Sequence, residues 1–410
     1  MMLLYIDPGT GSMLFSIVIG LVTMLYFVGK AAIIKLKFII SGGKSAGDHH
    51  CYPLVIYSEG KRYWNIFLPI LNALEQRGMD TVFLTSSQDD PFFSQKYEHV
   101  KGEFIGEGNK AFTRLNFLEA DVCLMTTPGL DVYQLKRSKG VKHYAHILHA
   151  VDDATSYRLF GLDYFDSVLL SGEYQKEHIR LLEKQRGIKE KELVVVGCPY
   201  LDILQEKAKD LLQKKSDQFT VLVAPSWGAS GILSRYGASL LDQLVATDFS
   251  IIVRPHPQSR QSEKEILEAL ERRYKDTPNL QWDHAVENLV SLSRADIMIS
   301  DFSGVIFDYA FLFNRPFLYV NASFDSRPYD AYDVPEQPWK FRILPQIGVE
   351  LKEKEFFRIR EVLLETVGNQ TLRENRNAAK AKAWQNQGES GDRVADFLMQ
   401  FIDGNTELRQ

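Results

Sequence analysis

Cysteine is scarce. The three in 410 residues, Cys51, Cys123 and Cys198, are odd in number and far apart. That excludes a disulfide framework and any zinc spacing, and it fits a reducing compartment. Each reads as a small buried apolar residue. A basic excess is missing too: the formal net charge is −5, so bulk electrostatics give no footprint for nucleic acid and no nucleic-acid partner is expected. There is no internal repeat and no low-complexity tract. The glycine-rich stretch near the start, "DPGTGS", lacks the lysine of a Walker loop and reads as a turn with Ser12 as a helix N-cap. What is present is a globular balance, 45% hydrophobic and 25% charged, over a length that suits two domains.

One segment departs from that balance. "MLFSIVIGLVTMLYFVG", residues 13–29, carries no charge. As a helix it would measure roughly 25 Å, a little short of a ~30 Å hydrocarbon core. Lys30, Lys35, Lys37 and Lys44 come after it, and only Asp7 precedes it. A signal peptide carries its positive charge first, so a membrane helix, spanning or interfacial, is expected instead. The positive-inside rule puts the N-terminus outside and everything after the segment on the cytoplasmic face of the cell membrane.

From residue 49 onward, short apolar runs alternate with amphipathic helical ones. "PLVIYS", "TVFLTS", "ADVCLMTT", "YAHILHAV", "DSVLLSG" and "LVVVGCP" form a first series of strands; "TVLVAP", "SIIVRPHP", "LQWD", "ADIMIS" and "PFLYV" form a second. Continuous Val/Ile/Leu runs with helices between them predict α/β domains with parallel, doubly wound sheets covered on both faces. The charged helix near 203–218 marks a boundary. The expected parts are an anchor and basic segment at 1–48, Rossmann-like domains at 49–210 and 211–375, and a helical tail at 376–410. In such sheets ligands bind beyond the carboxyl ends of the strands, so the residues just past each strand carry the information.

Those residues are polar and specific. "RPHPQS" aims Arg254 and His256 off a strand end, with two prolines stiffening the loop. His256 there suits a donor to a phosphate or leaving group, with Arg254 as its structural or phosphate partner; the plainer alternative is a satisfied loop histidine. "APSWGASG" offers Ser226, Ser230 and glycines for close approach by a ligand. In "SDFSGVIFDY" the strand ends at Ser300 and Asp301, and a helix starts near Ser303 and Gly304, a place where free N–H groups and the dipole favour an anion. Asp308, one and a half turns on, could accept from ribose hydroxyls; the plainer alternatives are a helix cap and an ion pair. Further back, "HYAHILHAVDDATSYRLFG" sets His143, His146 and His149 around one strand. Alternation puts His149 off the face of His146, so no metal site is expected. His149 stands at the strand end, where a cleft-facing base belongs, with Asp152 and Asp153 placed to orient or tune it.

In this order, His149, "GCPYLD", "RPHP" and "SDFSGVIFD" resemble the CDP-glycerol glycerophosphotransferase family, as does the final "GESGDRVADFL". The resemblance spans about 140–403. It implies a GT-B architecture, an acceptor domain and then a CDP-binding donor domain, with the active site between them. It further implies transfer of glycerol phosphate or ribitol phosphate from a CDP-polyol donor to a lipid-linked acceptor, releasing CMP, in teichoic-acid-like synthesis. No cofactor is implied, and a homo-oligomer is compatible with it. His149 and His256 would be catalytic; Ser226, Arg254, Ser300, Asp301, Ser303, Gly304 and Asp308 would hold the donor. Two departures concern donor and acceptor identity: "LHAVDD" replaces the family's Trp-His-Gly-Thr, and Gly304 stands where the family often has serine. A GT-B glycosyltransferase or sugar-nucleotide epimerase, and a non-catalytic binding or scaffold protein, are the alternatives.

Overall fold

In the computed structural model, residues 19–26, 28–29, 51–211, 218–321 and 325–406 are described. The first strand series makes a seven-stranded sheet: β1 (Tyr52–Ser58), β2 (Thr81–Thr85), β3 (Val100–Phe104), β4 (Glu119–Met125), β5 (Gly140–Ile147), β6 (Ser167–Leu170) and β7 (Glu192–Val195), in the order β3-β2-β1-β4-β5-β6-β7. Successive residues Leu54, Val55 and Ile56 are all fully buried. That requires protein on both faces of the sheet, and it explains why the strands read as unbroken apolar runs. Helix α1 (Trp64–Gln76) covers one face with Phe67, Ile70, Leu71 and Leu74, which recur at helical spacing.

The second series makes a six-stranded sheet of β8 (Thr220–Val223), β9 (Ser250–Val253), β10 (Leu280–Trp282), β11 (Ile297–Ser300), β12 (Phe317–Tyr319) and β13 (Val349–Glu350), ordered β10-β9-β8-β11-β12-β13. All strand pairings in both described sheets are parallel. Each order reverses once, between β1 and β4 and between β8 and β11. At such a point neighbouring crossovers leave on opposite faces and open a crevice. The helices that matter for the site are α2 (Lys176–Arg186), α3 (Pro199–Leu211), α4 (Ile232–Val245), α5 (Val305–Phe313) and α6 (Trp339–Ile347).

The C-terminal helices are divided between the two halves. α7 (Gln370–Ala383) packs on α5 and α6, while α8 (Ser390–Thr406) packs on α1. Where the chain crosses back, Trp384 is fully buried in the second half's core, and Val394, Ala395 and Leu398 are buried in the first half's. Asp202 of "GCPYLD" holds this crossing. Its carboxylate accepts from Trp384 Nε1 at 2.9 Å and Gly388 N at 2.9 Å, and from the Ser390 hydroxyl. Gly197 (φ +103°) belongs to the same clamp, since a Cβ there would lie 2.6 Å from the Gln385 carbonyl. The motif is a structural tie. Tyr52–Gln410 is accordingly one compact unit, separate from Met1–Cys51.

Of the apolar N-terminal run, residues 19–26 and 28–29 are helical, with Leu21, Val22, Met24 and Leu25 exposed. At 1.5 Å per residue, the continuous described stretch 19–26 measures roughly 12 Å, well short of a hydrocarbon core. No described helix is long and apolar enough to cross a membrane. Residues 13–18 and the lysine-bearing stretch 30–50 lie outside the described residues.

Candidate active site

At the second reversal point, the loop after β8 meets the turn from β11 into α5. Ser300, fully buried, donates its hydroxyl to the Ala224 carbonyl at 2.6 Å. Asp301 is also buried: one carboxylate oxygen accepts from Ser226 N (2.9 Å) and Ser303 N (3.2 Å), the other from Ile232 N (3.1 Å). Burial raises the Asp301 pKa, and the three N–H groups oppose that by stabilising the anion. Both residues were expected to touch the nucleotide. Instead their polar atoms are committed to protein, because a buried carboxylate needs several donors to stay charged. They fix the wall of the site, and Ser226 supplies the backbone N–H that ties its loop to that wall.

The turn in front of them faces open space. Ser230 and Phe302 line the cleft, Ser303 is half-buried and Gly304 is exposed. A Cβ built on Gly304 meets nothing within 4 Å, whereas one on Gly231 would lie 2.8 Å from the Ser226 carbonyl. Gly231 is therefore needed for the tight loop, and Gly304 is not needed for packing. Asp308 sits deeper on α5, enclosed against α3, and accepts from the Tyr200 hydroxyl at 3.2 Å. Burial pushes its carboxyl up to about 7.

After β9, His256 is fixed by its own loop. Its Nδ1 accepts the Gln258 backbone N–H at 3.1 Å, so the neutral ring carries its proton on Nε2 and can only donate from there. Burial holds its pKa below the ordinary value, with Glu263 and Asp301 acting in the opposite direction. Arg254 is not a free phosphate ligand. It pairs with Asp283 at 2.5 Å and donates to the Ala285 carbonyl at 2.8 Å, which ties down the loop after β10.

In the first half, β5 ends at Ile147 and His149 stands on the turn beyond it. Its Nδ1 lies 3.1 Å from the Tyr157 hydroxyl, and the Tyr63 ring packs edge-on at 5.9 Å. His149 is exposed to the cleft, and protein crowded around the ring lowers its pKa; Asp152 opposes this and Arg62 reinforces it. Of the two acids expected to orient or tune His149, Asp152 tunes its charge, and both are engaged with the opposite half. Asp152 pairs with Lys340 at 3.1 Å. Asp153 accepts from Trp339 N (2.8 Å) and Lys340 N (2.9 Å), capping α6 from the opposite half. Burial chiefly, with Asp152 beside it, raises Asp153 to about 6. His143 takes no part: it bonds the Ser167 hydroxyl at 2.9 Å and stacks on Phe401.

One cavity of about 490 Å³ joins the halves, with His149, Asp152 and Tyr157 on one side and Ser230, Phe302 and Lys340 on the other. The seam beside it is latched by Arg186, which reaches Asp163, Asp330 and Asp333, each at 2.7 Å. Sequence reasoning passes over Tyr157 and Lys340. Tyr157 lies inside the quoted histidine segment, but nothing local announces it, and Lys340 comes from a helix nearly two hundred residues away.

Residues 159–332 match the family model described as CDP-Glycerol:Poly(glycerophosphate) glycerophosphotransferase. No curated protein matches the sequence. Among solved structures, the wall teichoic acid polymerase TagF aligns with a TM-score of 0.57 at 14% identity, over 92% of this chain and 98% of that one. The UDP-GlcNAc 2-epimerase of Methanocaldococcus jannaschii aligns with a TM-score of 0.54 at 15% identity, over 85% of this chain and 99% of that one. The enzyme of the same name from Neisseria meningitidis gives 0.56 at 13%, over 85% and 100%. At these identities the structures establish the fold, which is GT-B-like. Over residues 159–332, 174 of its 410 residues, the chain is similar to the CDP-glycerol:poly(glycerophosphate) glycerophosphotransferases.

Proposed function

We propose that the protein transfers glycerol phosphate or ribitol phosphate from a CDP-linked donor to a hydroxyl of a membrane lipid-linked acceptor, releasing CMP, in the synthesis of a teichoic-acid-like polymer. One observation carries the proposal: a single cavity brings a strand-end histidine of the first sheet opposite the β11–α5 turn of the second. In the reaction, His149 Nε2 takes the proton of the acceptor hydroxyl. The acceptor oxygen attacks the phosphorus that bears the polyol, and the bond from that phosphorus to the bridging oxygen breaks. CMP departs with the electron pair. His256, donating from Nε2, and the start of α5 with Ser303 stabilise charge on the diphosphate. Asp308 lies on the same helix, enclosed against α3 behind the turn and bonded to the Tyr200 hydroxyl, so it steadies the turn from behind. The uncharged N-terminal run and the lysines after it support a place on the inner face of the cell membrane, where a lipid-linked acceptor is met.

The test is a donor panel of CDP-glycerol, CDP-ribitol and UDP-GlcNAc, each with and without membrane lipid extract. Acceptor-dependent CMP release from a CDP-polyol is the expected result. Turnover of UDP-GlcNAc alone would replace the proposal with a sugar-nucleotide enzyme on the same fold.

A further inference from the structure

The histidine that faces the cavity does not stand alone. Tyr157 Oη lies 3.1 Å from His149 Nδ1 and 3.1 Å from His146 Nε2. A phenol carries one proton, so it cannot donate to both rings at once, and at least one of them must donate to it. His146 is fully buried, and its Nδ1 has no hydrogen-bond partner among the described residues. Orphaned buried N–H groups are rare and costly. The His146 proton therefore sits on Nε2, donated to Tyr157, and burial keeps that ring neutral by pushing its pKa down to about 3.

With one side of its oxygen occupied by that N–H, Tyr157 can accept the His149 Nδ1–H on the other. Its own O–H then turns into the cavity that it lines. In that arrangement His149 presents a bare Nε2 to the cleft, the form a base needs. In the reverse arrangement Tyr157 would donate to Nδ1, and His149 would carry its proton on Nε2 with nothing left to accept. We propose that Tyr157, itself fixed by His146, is the positioning residue that sets His149 in its base-ready tautomer. It does so without the carboxylate that usually orients a catalytic imidazole. This rests on His149 being the base of the proposed transfer. The other charged or titratable neighbours of His149 are Arg62 and Tyr63 after β1, Asp152 in its own loop, and Lys340 across the cavity, paired to Asp152.

The test uses the full chain labelled with ¹⁵N-histidine. Nitrogen shifts should show His149 protonated at Nδ1 in the wild type and no longer held there in Tyr157→Phe. Tyr157→Phe should lower kcat for CMP release roughly 10²-fold with KM little changed, and move the acid limb of kcat/KM to lower pH, because the imidazolium loses an acceptor. His146→Gln, which keeps an N–H donor, should retain most activity, whereas His146→Leu should match Tyr157→Phe. An Nε2–H tautomer in the wild type would overturn the proposal. So would a folded Tyr157→Phe enzyme with wild-type kcat and an unmoved limb. Should the His146 variants fail to fold, the wild-type shifts and Tyr157→Phe still decide. If His149→Ala is inactive while Tyr157→Phe behaves as wild type, only the positioning role fails; if His149→Ala turns over normally, the base assignment itself fails.

Discussion

His149 and His256 occupy equivalent places, each just past the carboxyl end of a parallel strand, and are held in opposite ways. His256 takes its Nδ1 partner from two residues along its own loop, the Gln258 N–H. His149 takes its partner from Tyr157, eight residues on, whose hydroxyl is shared with buried His146. A backbone N–H can only donate, so the second-half ring is fixed as a donor. A phenol can donate or accept, so the first-half ring depends on its wider surroundings. The division suits a transfer in which one histidine receives a proton and the other steadies charge.

The sharpest way to break this comparison is to remove each ring. His149→Ala should reduce CMP release by about 10²–10⁴-fold, the range for a positioned general base. His256→Ala should cost somewhat less, about 2.7–4 kcal/mol, as for a lost preorganised donor. Their pH profiles should differ in kind. The His149 pKa is lowered and the base works unprotonated, so wild-type kcat/KM should fall only as pH drops through a value below 6.5. That acid limb should survive in His256→Ala and vanish in His149→Ala. Loss of the limb in His256→Ala alone would exchange the two roles.

The same contrast explains what the sequence disclosed. Continuous apolar strands were legible because burial on both faces leaves no alternation, and "RPHP" was legible because its geometry is set within a few residues. Ser300 and Asp301 pointed to the right turn but not to their work. Their partners, Ala224 and Ser226, lie 76 and 75 residues upstream and meet them only when β8 and β11 pair. The period of two that separated His146 from His149 holds only within β5, which stops at Ile147. Past that point the turn brings both rings to one hydroxyl. The uncharged run at 13–29 was plain in composition, and no described helix is long and apolar enough to cross a membrane.

Asp301 and Gly304, three residues apart, sharpen the comparison within the second half. Asp301→Ala would leave three backbone N–H groups at Ser226, Ile232 and Ser303 without their acceptor. Unsatisfied buried donors cost about 1–3 kcal/mol, so a loss near 3 kcal/mol should appear as a lower denaturant midpoint, with activity falling because the turn into α5 loses its anchor. A midpoint within experimental error of wild type would mean that Asp301 faces the ligand after all.

Gly304→Ser should barely move that midpoint. The glycine has φ −59°, a value any residue adopts, and its Cβ position is empty to 4 Å. Surface changes of this kind stay within about 0.5 kcal/mol. What should change is selection among donors, because a hydroxyl would be added where the turn enters α5 and the diphosphate is proposed to lie. The measurement is the ratio of kcat/KM for CDP-glycerol over CDP-ribitol, set beside the unfolding midpoint. A shifted ratio at constant stability would place the donor against Gly304. An unchanged ratio would move the polyol away from this turn and toward the His149 side, leaving the start of α5 to the phosphates alone.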